Sequence, residues 1–310
     1  MKAMLTFRTA TVVPQNVVDL ATFRGQLWAA CYDKGLFFWD GRRWHLHPRC
    51  SRYITGLFAD ADCLWFCTWM EGNVGFVNGA HRPPTLIPLP RLVTPRFVYR
   101  NQCITANPSK VWVGSETHLL RLQKGSREEM PEWDLVLESG IVISIVPLKH
   151  SAWIATAGGL WVYTEVDHEF SFRAVRSDLS ITSMALDSSS REIWLGSADG
   201  TLWRYEMGNR RWESVVKFPI RDSKANITAI HLVNRFVYVA VGYAAVGSLG
   251  FTAMPASSAK GGVIVYDRRS RQWQWLEGIQ IRDVRSIITF ENCLWVGGAE
   301  GVQAKAMSTG

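Results

Sequence analysis

Apolar residues along this chain gather in short blocks that recur at a regular distance. The core of each block is an aliphatic residue or Ala followed by an aromatic: Leu27-Trp28, Leu64-Trp65, Val111-Trp112, Ala152-Trp153, Ile193-Trp194, Val237-Tyr238 and Leu294-Trp295. Successive aromatic positions lie 37, 47, 41, 41, 44 and 57 residues apart, the size of a small four-stranded unit repeated along the chain. Ahead of each block runs a second pattern of apolar, any, small or polar, then usually aliphatic: Val17-Val18-Asp19-Leu20, Ile54-Thr55-Gly56-Leu57, Val142-Ile143-Ser144-Ile145, Ile227-Thr228-Ala229-Ile230 and Val284-Arg285-Ser286-Ile287. In these five copies the first residue precedes the anchor aromatic by 11. Cys103-Ile104-Thr105-Ala106 and Ile181-Thr182-Ser183-Met184 fit with offsets of 9 and 13, the latter lengthened by the polar turn Asp187-Ser188-Ser189-Ser190.

After most anchors comes a Gly with an apolar residue close behind, as in Gly35-Leu36, Gly159-Leu160, Gly200-Thr201-Leu202 and Gly301-Val302. Such a Gly predicts a hairpin corner at positive φ, leading into a third strand. Polar turns such as Asp40-Gly41-Arg42-Arg43 and Gly208-Asn209-Arg210-Arg211 then precede a fourth strand that opens with Trp44 or Trp212.

The anchor strand decides how such sheets associate. Leu27-Trp28-Ala29-Ala30-Cys31 is apolar on both faces, so it needs a neighbouring sheet on each side. A ring of radial sheets supplies this, and large indoles fill gaps that widen outward. The expected fold is therefore all-β: a single domain over residues 1–310, a seven-bladed β-propeller of four-stranded antiparallel blades. The last unit supplies only three strands after Val284. The apolar segment Leu5 to Val13 is expected to complete it, closing the last blade with the N-terminal strand.

Composition agrees with many short strands packed through aromatics: 15 Trp and 25 Gly in 310 residues, with 47% hydrophobic content. No signal-peptide order and no run of apolar residues long enough for a membrane span occurs, so the protein is expected to be cytoplasmic, without membrane contact. The six cysteines, Cys31, Cys50, Cys63, Cys67, Cys103 and Cys293, form no CxxC pair and read as free thiols. A net charge of +7, carried more by Arg than Lys, permits attraction to acidic partners, nucleic acid or lipid.

Written from Ile181-Thr182-Ser183-Met184 through Ile193-Trp194-Leu195-Gly196-Ser197 to Gly200-Thr201-Leu202-Trp203-Arg204-Tyr205, the unit resembles the two-component-regulator type propeller repeat. The resemblance covers essentially the whole chain and implies a ligand- or partner-binding sensor module of the wider WD40-like group. The membrane span and kinase that often accompany such modules are not expected here. A free-standing ring is expected, monomeric within a hetero-complex.

Candidate chemistry is sparse. The inner strands offer Asp19, Thr55, Thr105, Ser144, Thr182, Thr228, Ser286 and Arg285 to the channel, and one carboxylate among hydroxyls makes a poor cage for a hard metal. His45 and His47 would turn both rings to one side of an outer strand, with no third ligand evident. No catalytic residue, metal or cofactor is expected, and the function read is a non-catalytic scaffold that binds a protein or ligand. The alternative is a metal-dependent propeller lyase or lactonase at the channel mouth. Two interruptions of the repeat, at 79–102 and 242–261, are expected on one mouth of the ring, with Arg82, Arg96, Tyr99, Arg100, Tyr243 and Phe251 as binding anchors. The opposite face carries a basic rim of Arg42, Arg43, Arg210, Arg211, Arg268, Arg269 and Arg271, the alternative contact for nucleic acid or another polyanion.

Overall fold

Each anchor block forms the second strand of an antiparallel sheet. The computed structural model describes residues 16–69, 73–89, 101–124, 133–138, 141–166, 169–220, 222, 225–243 and 261–307. Blade 1 comprises β1 (Val17–Phe23), β2 (Gln26–Cys31), β3 (Gly35–Trp39) and β4 (Trp44–Leu46), and blade 2 β5 (Ile54–Ala59), β6 (Leu64–Thr68), β7 (Asn73–Val77) and β8 (Thr85–Pro88). Blade 3 holds β9 (Asn101–Ala106), β10 (Lys110–Ser115), β11 (His118–Gln123) and β12 (Trp133–Glu138). Blade 4 holds β13 (Val142–Pro147), β14 (Ser151–Thr156), β15 (Gly159–Val166) and β16 (Glu169–Arg176). Blade 5 follows with β17 (Ile181–Asp187), β18 (Glu192–Ser197), β19 (Thr201–Glu206) and β20 (Arg211–Lys217). Blade 6 has β21 (Asn226–Val233), β22 (Phe236–Gly242), β23 (Gly262–Asp267) and β24 (Gln272–Trp275), and blade 7 β25 (Val284–Phe290), β26 (Cys293–Gly298) and β27 (Gly301–Ala306). Strands pair in chain order, giving six four-stranded sheets and, among the described residues, a three-stranded seventh. The segment Leu5 to Val13, expected to complete that sheet, lies outside the described residues.

Burial grades outward as the two-faced pattern requires. The second strand is buried along almost its whole length, as in β6 and β18, whereas the outer strands β8 and β24 are mostly exposed and β20 alternates between exposed and half-buried. One apolar cluster fills each of the seven gaps between neighbouring blades. All seven anchor aromatics are in the core, none above 8% exposed. Blade 7 packs against blade 1 through Trp295, whose ring lies 5.6 Å from Trp39 and 6.1 Å from Trp44. The backbone N–H of Asn16 also donates to the Ala299 carbonyl at 2.9 Å, so the ring is closed at its inner edge.

The inner strands share one irregularity, a shift of register just after their first residue: Val17/Asp19, Ile54/Gly56, Val142/Ser144, Ile181/Ser183, Ile227/Ala229 and Val284/Ser286. In blade 3 it falls between Asn101 and Cys103, the partners of Ser115 and Gly114. Blade 3 thus begins its motif at Asn101, 11 residues before Trp112 as in the other five regular copies, and not at Cys103. A bulge turns the extra residue out of the pleat.

Candidate functional site

The seven inner strands surround a central cavity of about 670 Å³, lined by the hydroxyl and carboxylate positions anticipated from the repeat. Most of these polar groups are engaged between blades. The bulged Thr182 donates from Oγ1 to the Ile227 carbonyl of the next blade at 2.6 Å, and Thr228 repeats the contact to the Val284 carbonyl at 2.6 Å. Ser286 Oγ donates across the closure to Asp19 Oδ1 at 3.0 Å, and Asp19 Oδ2 accepts the Leu57 N–H of blade 2 at 2.8 Å. One carboxylate therefore ties blades 7, 1 and 2. Protein surrounds Asp19 except on the channel side, and this desolvation pushes its pKa up to about 6 against the pull of the Leu57 N–H, the Ser286 hydroxyl and the Leu20 N–H.

Arg285, the bulged residue of blade 7, also faces the cavity. Its Nε and Nη2 donate to Asp283 Oδ2 at 3.0 and 2.6 Å, both side chains being buried. Asp283 Oδ1 accepts the Tyr243 N–H at 2.7 Å. This Asp–Arg pair fastens the connection entering blade 7 to the end of β22, so the cation is locally neutralised.

The histidine pair turns both rings to one side of blade 1, since Phe38 and Trp28 are cross-strand neighbours. His45 stacks on Phe38 at 5.2 Å and bonds Asp40 Oδ2 at 2.6 Å; His47 is buried against Trp28 at 5.8 Å, and burial pushes its pKa down. Among the described residues no three His, Cys, Asp or Glu side chains are grouped to hold a metal ion. The cysteines there are free thiols, and burial pushes the Cys67 thiol up to about 12.

Because strand direction alternates within a blade, the hairpins between strands 1 and 2 and between 3 and 4 share one face of the ring. The 2–3 turns and blade-to-blade connections share the other. Within the irregular stretch 79–102, β8 takes up Thr85–Pro88, which leaves Arg82 exposed in a 3–4 hairpin. Tyr243, following β22, belongs to the other face, so Arg82 and Tyr243 do not meet on one mouth. Tyr243 is 9% exposed, its ring in the gap between blades 5 and 6 and its hydroxyl donating to Asp222 Oδ2 at 2.9 Å. Arg96, Tyr99, Arg100 and Phe251 lie outside the described residues.

The basic rim lies on the hairpin face with Arg82. Its members differ in what they touch. Arg268 Nη1 pairs with Asp187 at 2.6 Å and lies over Trp194, Arg271 pairs with Glu213 at 2.5 Å, and Arg43 Nε donates to His45 at 3.3 Å. Arg42, Arg210, Arg211 and Arg269 are exposed and form no ion pair among the described residues. Sequence reading missed Arg191, which sits on the same face at φ 55. The only signal for it was a basic residue at the end of a serine-rich turn.

No protein-family model matches the chain, and none of the curated proteins matches it. Solved structures do. The extracellular domain of the one component system BT4673 from B. thetaiotaomicron superposes with a TM-score of 0.71 at 16% identity, over 97% of this chain and 39% of that one. This chain thus spans about two fifths of that relative's length. The β-propeller domain of Cps50 (Swd1) from Myceliophteria thermophila gives 0.70 at 13% identity, covering 97% and 99% of the two chains. YCF48, solved bound to D1 peptide, gives 0.64 at 12% identity, covering 96% and 94%. At these identities the likeness establishes the fold, a seven-bladed β-propeller shared by two-component-system and WD40-like structural relatives.

Proposed function

We propose that this chain is a non-catalytic binding scaffold directed at a protein partner, a subunit or recognition module of a larger cytoplasmic complex. The observation that carries this reading is the use of the channel's polar groups. Thr182, Thr228, Ser286, Asp19 and Arg285 are drawn into contacts that join blades and connections, whereas a channel-mouth catalyst needs convergent groups aimed at a substrate. Recognition then falls to the rims, and the peptide-bound YCF48 structure supports a ring of this shape serving a protein partner. The same proposal has Leu5 to Val13 pairing with β27, whose outer edge has no strand partner among the described residues.

Affinity purification of the tagged chain from its native host, followed by sizing of the eluate, tests the scaffold reading. The expected result is a stoichiometric second protein that co-migrates with the ring. Recovery of the ring alone as a monomer, or with stoichiometric Ca, Mg or Zn and turnover of a small molecule, rejects it.

A further inference from the structure

Arginines occupy left-handed corners on the hairpin face: Arg24 of blade 1 at φ 49, beside Gly25, and three more on blades 5 and 6. The last turn residue before the second strand is Gly25 in blade 1 and Asn292 in blade 7, at φ 71 and 59; in blade 5 it is Arg191, at φ 55. At the corner before the fourth strand, blades 5 and 6 place Arg210 and Arg271 at φ 57 and 58. The left-handed region favours Gly, and then Asn, over a long side chain. Holding arginine at several such corners on one face therefore costs stability that Asn would recover, and backbone strain of this kind gathers at functional surfaces.

Ion pairing on these hairpins leaves a surplus of one sign. Asp187 is taken by Arg268 at 2.6 Å and Asp267 by Arg235 at 3.5 Å. Arg204 gathers Glu192, Glu206 and Glu213 at 3.0, 3.0 and 2.5 Å, and Glu213 also holds Arg271. Arg191, Arg210, Arg211 and Arg269 stand exposed without an ion pair among the described residues. Their platform is rigid. The Met207 N–H donates to the Arg191 carbonyl at 3.1 Å, fastening the two hairpins of blade 5, and the Arg268 and Arg271 pairs lock blade 6 onto blade 5.

We infer that this face binds a carboxylate-rich segment of a protein partner through Arg191, Arg210, Arg211 and Arg269. The inference rests on the scaffold reading and names the partner's chemistry. Neutralised carboxylates are interleaved with the free guanidinium groups, so the surface is a mosaic. A peptide with spaced Asp and Glu side chains can match it in register, each pair gaining bidentate geometry. A nucleic-acid backbone, with its closely and evenly spaced phosphates, would be set against the interleaved acids.

The test uses fluorescence anisotropy of the full chain with a labelled peptide of alternating Glu and Ser, against a single-stranded oligonucleotide of equal charge. The peptide is expected to bind more tightly than the oligonucleotide, with affinity falling as salt rises. The variant R191N/R210N should melt at or above the parent temperature while losing affinity, because Asn relieves the corner. The variant R211Q/R269Q lies on ordinary backbone and should lose affinity without a change in melting. Combining all four should weaken the peptide roughly tenfold or more. Unchanged affinity in the quadruple variant, no peptide binding by the parent, or tighter binding of the oligonucleotide overturns the inference. A native partner that the quadruple variant still captures in full also overturns it while leaving the scaffold reading intact; a parent chain that captures no partner removes that reading itself.

Discussion

Asp19 stands where the first and last blades meet, with Leu57 of blade 2 on one oxygen and Ser286 of blade 7 on the other. Its ordinary pKa of 3.8 is raised to about 6 because burial penalises the charged form more than these donors favour it. The folded ring therefore binds this proton more tightly than the unfolded chain does. The resulting stability is full below about pH 4 and is lost as pH rises through about 6. Paired carboxylates such as Asp60 and Glu213, whose pKa values are lowered, act in the opposite sense at lower pH. Comparison with Asp19→Asn isolates the one group. Asn offers a single acceptor to two backbone donors, so the variant is expected to be less stable at every pH. The parent-minus-variant difference should shrink by about 1 kcal/mol between pH 4 and pH 7, the channel side being open to solvent. Melting curves of the two proteins across that range check it, and a difference that stays level or grows with pH rejects Asp19 as the titrating group.

At the level of strands, a glycine near the end of the second strand faces the first residue of the next inner strand at three of the gaps: Gly114 against Val142, Gly196 against Ile227 and Gly297 against Val17. A Cβ added to Gly196 would meet Ile227 Cγ2 at 2.4 Å, and one added to Gly297 would meet Val17 Cγ1 at 2.7 Å. Both clashes fall on buried β-branched side chains that have no room to retreat. Gly196→Ala is expected to cost about 1–3 kcal/mol by overpacking. Gly208→Ala, with nothing within 4 Å of the added carbon, should stay within about 0.5 kcal/mol of the parent. Denaturant unfolding of the two variants decides the point, and equal midpoints would mean that the gap is looser than drawn. These strands were largely legible in the sequence, because a strand buried on both faces cannot hide its composition. The misses have local causes. Asn101-Gln102 is a polar start to an inner strand, so hydrophobic pattern placed the motif two residues late. The proline-rich stretch 79–102 has to supply the fourth strand of its blade without showing where; the strand falls at Thr85–Pro88, an outer edge that needs few backbone donors and accepts Pro, and this puts Arg82 on the hairpin face. Tyr243 looked like a loop aromatic because its two partners, Asp222 and Asp283, come from distant connections.

For the whole ring, closure has an inner part that the structure describes and an outer part that is proposed. Inner closure joins Val17, Leu20 and Trp39 to Gly297, Ser286 and Trp295. Toward the outside, β27 is the outermost strand of blade 7 among the described residues, and a cavity of about 660 Å³ lies between blades 6 and 7, lined in part by Phe236, Val265, Leu276 and Met307. An unpaired strand edge beside apolar surface invites pairing with another chain. If Leu5 to Val13 supplies the outer strand, deleting residues 1–13 removes the ladder on β27 and bares that edge. The truncated ring should then melt several degrees lower, and its apparent size should rise with protein concentration. Deleting only residues 1–4 should do neither. The two deletions differ by the nine residues assigned to the strand, so sedimentation and thermal melting of both separate a closing strand from a dispensable tail. A truncated chain that melts with the parent and stays monomeric at high concentration would show that the seventh blade is complete without that segment.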